Sequence, residues 1–376
     1  MAARGLFVSS RGNLSPAKGG VQACTREFIS VIEAAGVALS IVPFDHDRRM
    51  STRVWRLFDS SPFVRPFGPA LPADILRATG QAAPDVVFLN QDSLAAVAPR
   101  IRPHLPARCR IVVLSHGLES TDLLHQVRLR AVMPSRHRFR PTIDVLLGRV
   151  LHSEQRSRQA VDAVCAISPF DCDLEQWLGT RNVGWLPRIV QPSPIAWQPA
   201  GNRFGFVGTL DHAPNFEGLL EVLKALQQTG AGSMEIRIVG GPADVGRWFH
   251  EKFPMARYLG PLDDEALGRE ASTWTAFIHP IFCLPRGCST KLATGMSWQI
   301  PIVTTPQGRR GYEWSDGHLL EAETPREFVE HCLSLQDGQA ARAARTDVER
   351  VVASSPGLAE VAARMRGLLA HWTQAV

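Results

Sequence analysis

The sequence predicts an α/β protein built from two doubly wound domains that face each other across a cleft. Three observations carry this. Short apolar runs alternate with stretches of helical periodicity along almost the whole chain. The runs are nearly continuous in apolar residues, as expected of strands buried on both faces of a parallel sheet. A proline-rich joint at residues 190–202, VQPSPIAWQPAGN, divides the alternation into two blocks. The length of 376 residues suits two such domains.

In the first block LFVSS (6–10) reads as a strand and RGNLSPAKGG as a polar loop. Val21, Cys24, Phe28, Val31, Ile32 and Ala35 then recur at helical spacing, and Gly36 ends the helix. ALSIVPF, DVVFLN (85–90), RIVVLS (110–115) and AVCAIS (163–168) are further strands. Ser168 caps a helix with Pro169 at its first position and Gly179 past its end. Beyond the joint, RFGFVG (203–208) restarts the pattern, and Leu219, Val222, Leu223 and Leu226 form one helical stripe. EIRIVGG, ARYLG, TAFIHP and IPIVTT follow as short strands. A last helix carries Leu358, Val361, Met365, Leu368, Leu369 and Trp372 on one side. The expected division is 1–195, 196–355 and a closing helix, 356–376, packed back on the first domain. No internal repeat is visible.

Composition excludes several classes. Hydrophobic residues are 45% and charged residues 20%, which rules out a disordered or fibrous chain. No apolar run reaches the ~18 residues of a membrane span, and the N-terminus has no signal-peptide core, so a cytoplasmic setting is expected. The seven scattered cysteines include no CxxC pair and read as free thiols, not as a zinc site or a disulfide framework. Net charge is +5, and residues 121–160 hold all of it: arginines 128, 130, 136, 138, 140, 149, 156 and 158 against Asp122, Asp144 and Glu154. Such a segment suits an anionic lipid surface, a phosphorylated acceptor or nucleic acid, or else is a solvated helical face.

Three segments are candidates for chemistry. Lys18-Gly19-Gly20 lies between the first strand and the first helix, where glycines admit a ligand to free helix N–H groups. Ser115-His116-Gly117 follows a strand and places a histidine at the cleft, as a proton carrier or a hydrogen-bonding group. From Ala271 to Tyr312 there is no Asp or Glu, where the chain average gives about four. This stretch instead holds Arg286, Lys291, Arg309 and Arg310. Ser289 or Thr290 can cap the helix there, with Lys291, Thr294 and Trp298 on one face. A cationic loop at a helix N-terminus suits a diphosphate.

At these residues the chain resembles the GT-B glycosyltransferases, in particular the large retaining family that makes bacterial polysaccharides and glycolipids. GGVQACTREFISVIEAAG is similar to that family's glycine loop and first helix, VVLSHG to its strand-end histidine and VDAVCAISPFDCDLEQWLG to its helix entry. FGFVGTLDHAPNFEGLLEVLKAL resembles the opening of its nucleotide-binding domain, and KLATGMSWQIPIVTTPQGRRGY its donor segment. The resemblance implies two Rossmann-like domains, the first for the acceptor and the second for the nucleotide sugar. It also implies donor contacts at Gly208 and Thr209. The family's two donor-site glutamates, eight positions apart, are here Arg286 and Thr294. Its Arg and Lys after the FVG strand are Thr209 and Asn215.

The implied reaction moves a sugar from a nucleotide-diphosphate donor to a hydroxyl of a glycan or lipid-linked acceptor, with retention. Gly19, Gly20, Arg286 and Lys291 would stabilise the leaving diphosphate. Ser289, Thr290 or Thr294 would reach the ribose, and His116 would orient the donor sugar. An inverting reaction would need His116 or Asp45 as a base. No metal, cofactor or nucleic acid is expected, and peripheral contact with the inner membrane face through 121–160 is. The alternatives are an epimerase or phosphorylase of the same fold, or a non-catalytic partner subunit.

Overall fold

The computed structural model describes residues 3–16, 19–47, 62–63, 67–129, 132, 143–230 and 234–374. Of the residues singled out above, Lys18, Arg130, Arg136, Arg138 and Arg140 lie outside these. Two six-stranded sheets, each entirely parallel, stand on either side of the proline-rich joint.

The first sheet holds β1 (Ala3–Ser10), β2 (Val37–Phe44), β3 (Val86–Asn90), β4 (Arg110–Leu114), β5 (Ala163–Ala166) and β6 (Val183–Trp185), in the order β2-β1-β3-β4-β5-β6. The second holds β7 (Arg203–Val207), β8 (Glu235–Val239), β9 (Ala256–Gly260), β10 (Ala276–Ile278), β11 (Ile302–Thr304) and β12 (Leu320–Glu321), in the order β12-β11-β10-β7-β8-β9. Chain reversal occurs at β1/β3 and at β7/β10, so the crevices where such sheets take ligands open there.

The central strands are apolar because helices cover both faces. All residues of β3 and β5 are buried. On one side of the first sheet Phe7, Phe88, Val112 and Cys165 pack on Phe28, Val31 and Ile32 of the helix Gly20–Ala34. Val361, Ala362, Met365 and Trp372 of the last helix, Leu358–Gln374, bury in the same cluster, so the first domain covers its apolar stripe apart from the exposed Leu358. Arg366 donates from Nε to the Ala35 carbonyl at 3.2 Å, fixing that helix against the end of the first one. Ser168 caps the helix Pro169–Trp177 as its sequence predicts, accepting from the Asp171 N–H at 3.1 Å.

One part of the charge reading is corrected here. Arg158 is not a surface cation. It is 4% exposed and pairs with Asp92 and, at 2.6 Å, with Glu175, both fully buried. Two carboxylates far away in sequence neutralise it, which no local charge count reveals. All seven cysteines are free thiols. No helix among the described residues is long and apolar enough to cross a membrane.

Candidate active site

The candidate residues gather beyond the carboxyl ends of β1 and β4 in the first domain and of β7 and β10 in the second. The two sets touch. A side-chain carbon on Gly20 would lie 2.9 Å from Thr290 Oγ1. One on Gly117 would lie 2.1 Å from the Gly287 nitrogen, and one on Gly287 would lie 2.3 Å from the His116 carbonyl oxygen. Gly117 has φ +90° and Gly287 φ +62°, so both the left-handed backbone and the close approach of the two loops require glycine. The Gly287 N–H donates across the cleft to Asp171 Oδ1 at 3.1 Å.

His116 is 8% exposed, with its ring edge-on to Phe28. Its Nε2 lies 2.9 Å from Asn90 Oδ1. The Asn90 amide nitrogen is committed to Ser9 Oγ at 2.8 Å and Thr25 Oγ1 at 2.9 Å, so its oxygen can only accept. Nε2 therefore carries the proton and Nδ1 the lone pair. Burial, then the charges of Arg188 and Arg286, push the imidazole down to about 3, so it is neutral at pH 7. In this state it holds no charge and can offer Nδ1 to a hydroxyl. Asp45, the other base weighed from the sequence, is 76% exposed and pairs with Arg11 at 3.2 Å.

In the facing domain Lys291 lies across Gly208, where a side-chain carbon would come 2.8 Å from its Cε. Its Nζ donates to Asn215 Oδ1 at 3.0 Å, and Asn215 Nδ2 donates to the Thr209 carbonyl at 2.8 Å. Gly208, Thr209, Asn215 and Lys291 are thus one connected group. Burial, then repulsion from Arg310, lowers the Lys291 ammonium to about 8. Ser289 occupies the N-cap position of the helix Thr290–Trp298, yet no side chain caps that helix. Its hydroxyl instead meets His279 Nε2 at 2.7 Å. The His279 Nδ1 faces Thr304 Oγ1 at 3.1 Å, and that hydroxyl donates to the His279 carbonyl, so Nε2 is the acceptor and Ser289 the donor. In the first turn of this helix the Leu292 N–H donates to the Ser289 carbonyl at 3.2 Å, and no side chain caps the turn, which lies beside Gly20. Thr294 turns its hydroxyl back to the Thr290 carbonyl at 3.2 Å.

Arg286 is placed differently from Lys291. Its guanidinium is held by Glu119 and, at 2.9 Å, by Asp122, both on the helix Glu119–Leu129 of the first domain. It spans the cleft as an ion pair and has its charge already answered there. Arg310, by contrast, makes no ion pair among the described residues. It donates to the Gln307 carbonyl and, at 3.0 Å, to the Arg286 carbonyl, while its buried Nε has no partner. Burial lowers its pKa below the ordinary arginine value.

A cavity of about 700 Å³ opens at this junction, lined by Gly19, Gly20, Arg188, Thr290 and Thr294 among others. Arg188 is fixed there by two 2.9 Å bonds to Glu27. A hollow of about 780 Å³ beside Trp197, Asn202 and Thr275 sits at the amino ends of β7 and β10, the wrong end of the sheet for a ligand crevice. Glu119, Asp122, Asn90, Arg188 and Glu27 had no signal in the sequence. Each gains meaning only from a partner distant in the chain.

Residues 201–337 match the family model of glycosyl transferases group 1. Three solved structures share the whole architecture. Sucrose-phosphate synthase from Thermosynechococcus elongatus is 14% identical, covers 100% of both chains and has a TM-score of 0.65. The lipopolysaccharide outer core galactosyltransferase WaaB, in its apo form, is 14% identical over 98% of this chain and 99% of its own, with a TM-score of 0.62. The second domain is thus similar to a group 1 glycosyltransferase domain, and the whole chain has a GT-B fold. Anabaena HepE, solved with UDP and glucose, is 13% identical over 98% of this chain and 100% of its own, with a TM-score of 0.60. No curated protein matches the sequence. The GT-B architecture explains why the candidate residues come from both domains: its crevice has one wall in each.

Proposed function

We propose that this GT-B protein transfers a sugar from a nucleotide-diphosphate donor to a hydroxyl of a glycan or lipid-linked acceptor, with retention at the anomeric carbon. The observation that carries the reading is the uncapped N-terminus of the helix Thr290–Trp298, with Lys291 beside it and Arg310 near, in a stretch without carboxylates. Negative charge builds on the diphosphate as the anomeric C–O bond breaks. Fixed N–H groups and buried cations stabilise that charge with little reorganisation. In this reading Lys291 and Arg310 face the phosphates, and Gly208 and Thr209 shape the turn beneath them. Gly19 and Gly20 close over the donor. Ser289, Thr290 or Thr294 meets the ribose. His116, neutral and with Nε2 occupied, accepts a hydrogen bond from the donor sugar through Nδ1. Arg286 acts as a clasp between the domains. No metal or cofactor is assigned to the reaction. A cytoplasmic setting, with contact to an anionic membrane face through 121–160, belongs to the same proposal.

The test is a thermal-shift series with UDP-, GDP-, dTDP- and CMP-sugars, UDP-sugars first because the HepE structure holds UDP and glucose. A ligand at ~100-fold its dissociation constant adds ~2.7 kcal/mol of stability. The stabilising donor is then assayed for hydrolysis and transfer. No stabilisation by any of them, or stabilisation unchanged in Lys291→Met, defeats the reading.

A further inference from the structure

Where the helix Glu119–Leu129 of the first domain meets the second, three side chains converge outside the candidate active site. They are His125 on that helix, Glu217 on the helix Ala213–Thr229, and Cys283 in the loop after β10. One ligand atom from each lies within 4.8 Å of the other two. His125 is 4% exposed and Cys283 7%.

The hydrogen bonds settle which atoms are available. His125 Nε2 lies 3.1 Å from the Leu284 carbonyl oxygen, which can only accept, so Nε2 carries the proton. The lone pair is therefore on Nδ1, which is buried and has no partner. Glu217 Oε2 is likewise buried without one. Its other oxygen, Oε1, faces the half-exposed Arg128 at 3.8 Å. Two buried acceptors thus converge beside a thiol whose S–H, facing Glu217, is the one donor of the cluster and is replaceable by a metal. Buried lone pairs without a protein partner are met by an ordered water or a cation, and a histidine, a carboxylate and a thiol in one cluster suit the cation.

We propose that His125, Glu217 and Cys283 bind one zinc ion that clasps the two domains together. The ligand set decides the metal: imidazole with thiolate favours zinc, whereas calcium and magnesium take oxygen ligands. A histidine ligand typically donates its other ring N–H to a carbonyl, and His125 already does so. Zinc holds N, O and S ligands at about 2.0–2.3 Å, so the three atoms must draw in by about an ångström, which side-chain rotation supplies. Binding replaces the Cys283 thiol proton, which leaves to solvent. The fourth tetrahedral position remains for water. The three residues are far apart in the chain, so the cysteine spacing predicts no zinc site.

The experiment strips the full-length chain with a chelator and titrates it with cobalt(II), then with zinc. One equivalent of cobalt should bind with a thiolate-to-metal absorption band in the near ultraviolet, and zinc should displace it. Cys283→Ser should abolish the band, and Cys172→Ser, at a thiol elsewhere, should leave it. His125→Asn should weaken affinity at least tenfold. A parent chain without the band, or a band that survives Cys283→Ser, overturns the proposal. Should Cys283→Ser fail to fold, the nearly isosteric Glu217→Gln decides: affinity at least tenfold weaker supports the site, and unchanged affinity overturns it.

Discussion

Lys291 should make nucleoside-diphosphate affinity depend on pH in a way an exposed lysine does not. Burial and then Arg310 hold its ammonium at about 8, against an ordinary 10.5. The free protein therefore carries this charge on roughly 90% of molecules at pH 7 and roughly 10% at pH 9. The ligand does not titrate in that window, since a terminal phosphate loses its last proton near pH ~6. Bound diphosphate favours the ammonium and lifts its pKa again. Affinity should be level below pH ~8 and fall up to about tenfold per pH unit above it, each complex taking up close to one proton. The fall is limited by the charge-assisted contact itself, ~1.5–3 kcal/mol, or roughly ten- to a hundredfold. Calorimetric titration with UDP, or with the diphosphate of the best donor, in two buffers of different ionisation enthalpy measures both affinity and proton uptake. Lys291→Met should weaken binding at neutral pH and flatten the profile. A flat profile in the parent, or an equally steep one in Lys291→Met, refutes the placement of the diphosphate here. The same shift has a fixed sign for stability. Below about 8 the lysine is protonated in both folded and unfolded chains. Between about 8 and 10.5 the unfolded chain binds the extra proton, so stability rises with pH there, and Lys291→Met should remove that rise.

Two other substitutions probe the junction. Arg286→Met leaves Glu119 and Asp122 without their cation in a largely buried interface, and should cost up to about 3–5 kcal/mol in chemical denaturation. Restoring stability by adding Glu119→Gln and Asp122→Asn is the expected companion result, and an unchanged single variant would contradict the clasp. Gly117→Ala adds a carbon 2.1 Å from the Gly287 nitrogen on a left-handed backbone. It should hold the loops apart, enlarge the scattering radius and depress turnover more than stability; a compact, fully active variant would show that the loops need not touch.

The sheets were legible where burial is complete. Every residue of β3 is apolar except Asn90, because helices cover both faces of the central strands. β6 and β12 were not: VGW and LE are only partly buried and hold no apolar run, whereas the comparably short β10 and β11 are fully buried and, but for Thr304, apolar. Within the site, Ser289, Thr290, Lys291 and Thr294 share one short segment, and its lack of carboxylates marked it. The sequence could not show that Arg286 is already answered by Glu119 and Asp122, or that Arg158 is buried between Asp92 and Glu175. Both depend on charges brought together only by the fold. The local excess of arginine at 121–160 overstated surface charge for the same reason.

The helix Glu119–Leu129 shows how the two domains meet. Glu119 and Asp122 hold Arg286, Asp122 also faces His212 at 3.6 Å, His125 donates to Leu284, and Arg128 faces Glu217. Leu129 is the apolar exception, buried among Phe216, Leu220 and their neighbours in the second domain's core. A contact made chiefly of ion pairs and hydrogen bonds loses less on opening than an apolar one, because water solvates the separated groups. It is also sensitive to any charge placed beside it. A diphosphate at Lys291 and Arg310 would add negative charge next to Asp122, which already contributes to the fields at both cations. Donor charge would therefore act on both walls of the cleft, strengthening the cations' hold while pressing on the carboxylates that clasp Arg286. If the diphosphate binds there, its charge and the contacts of Arg286 would draw on the same few side chains, so the pH dependence of Lys291 and the stability of the junction should be coupled through Asp122.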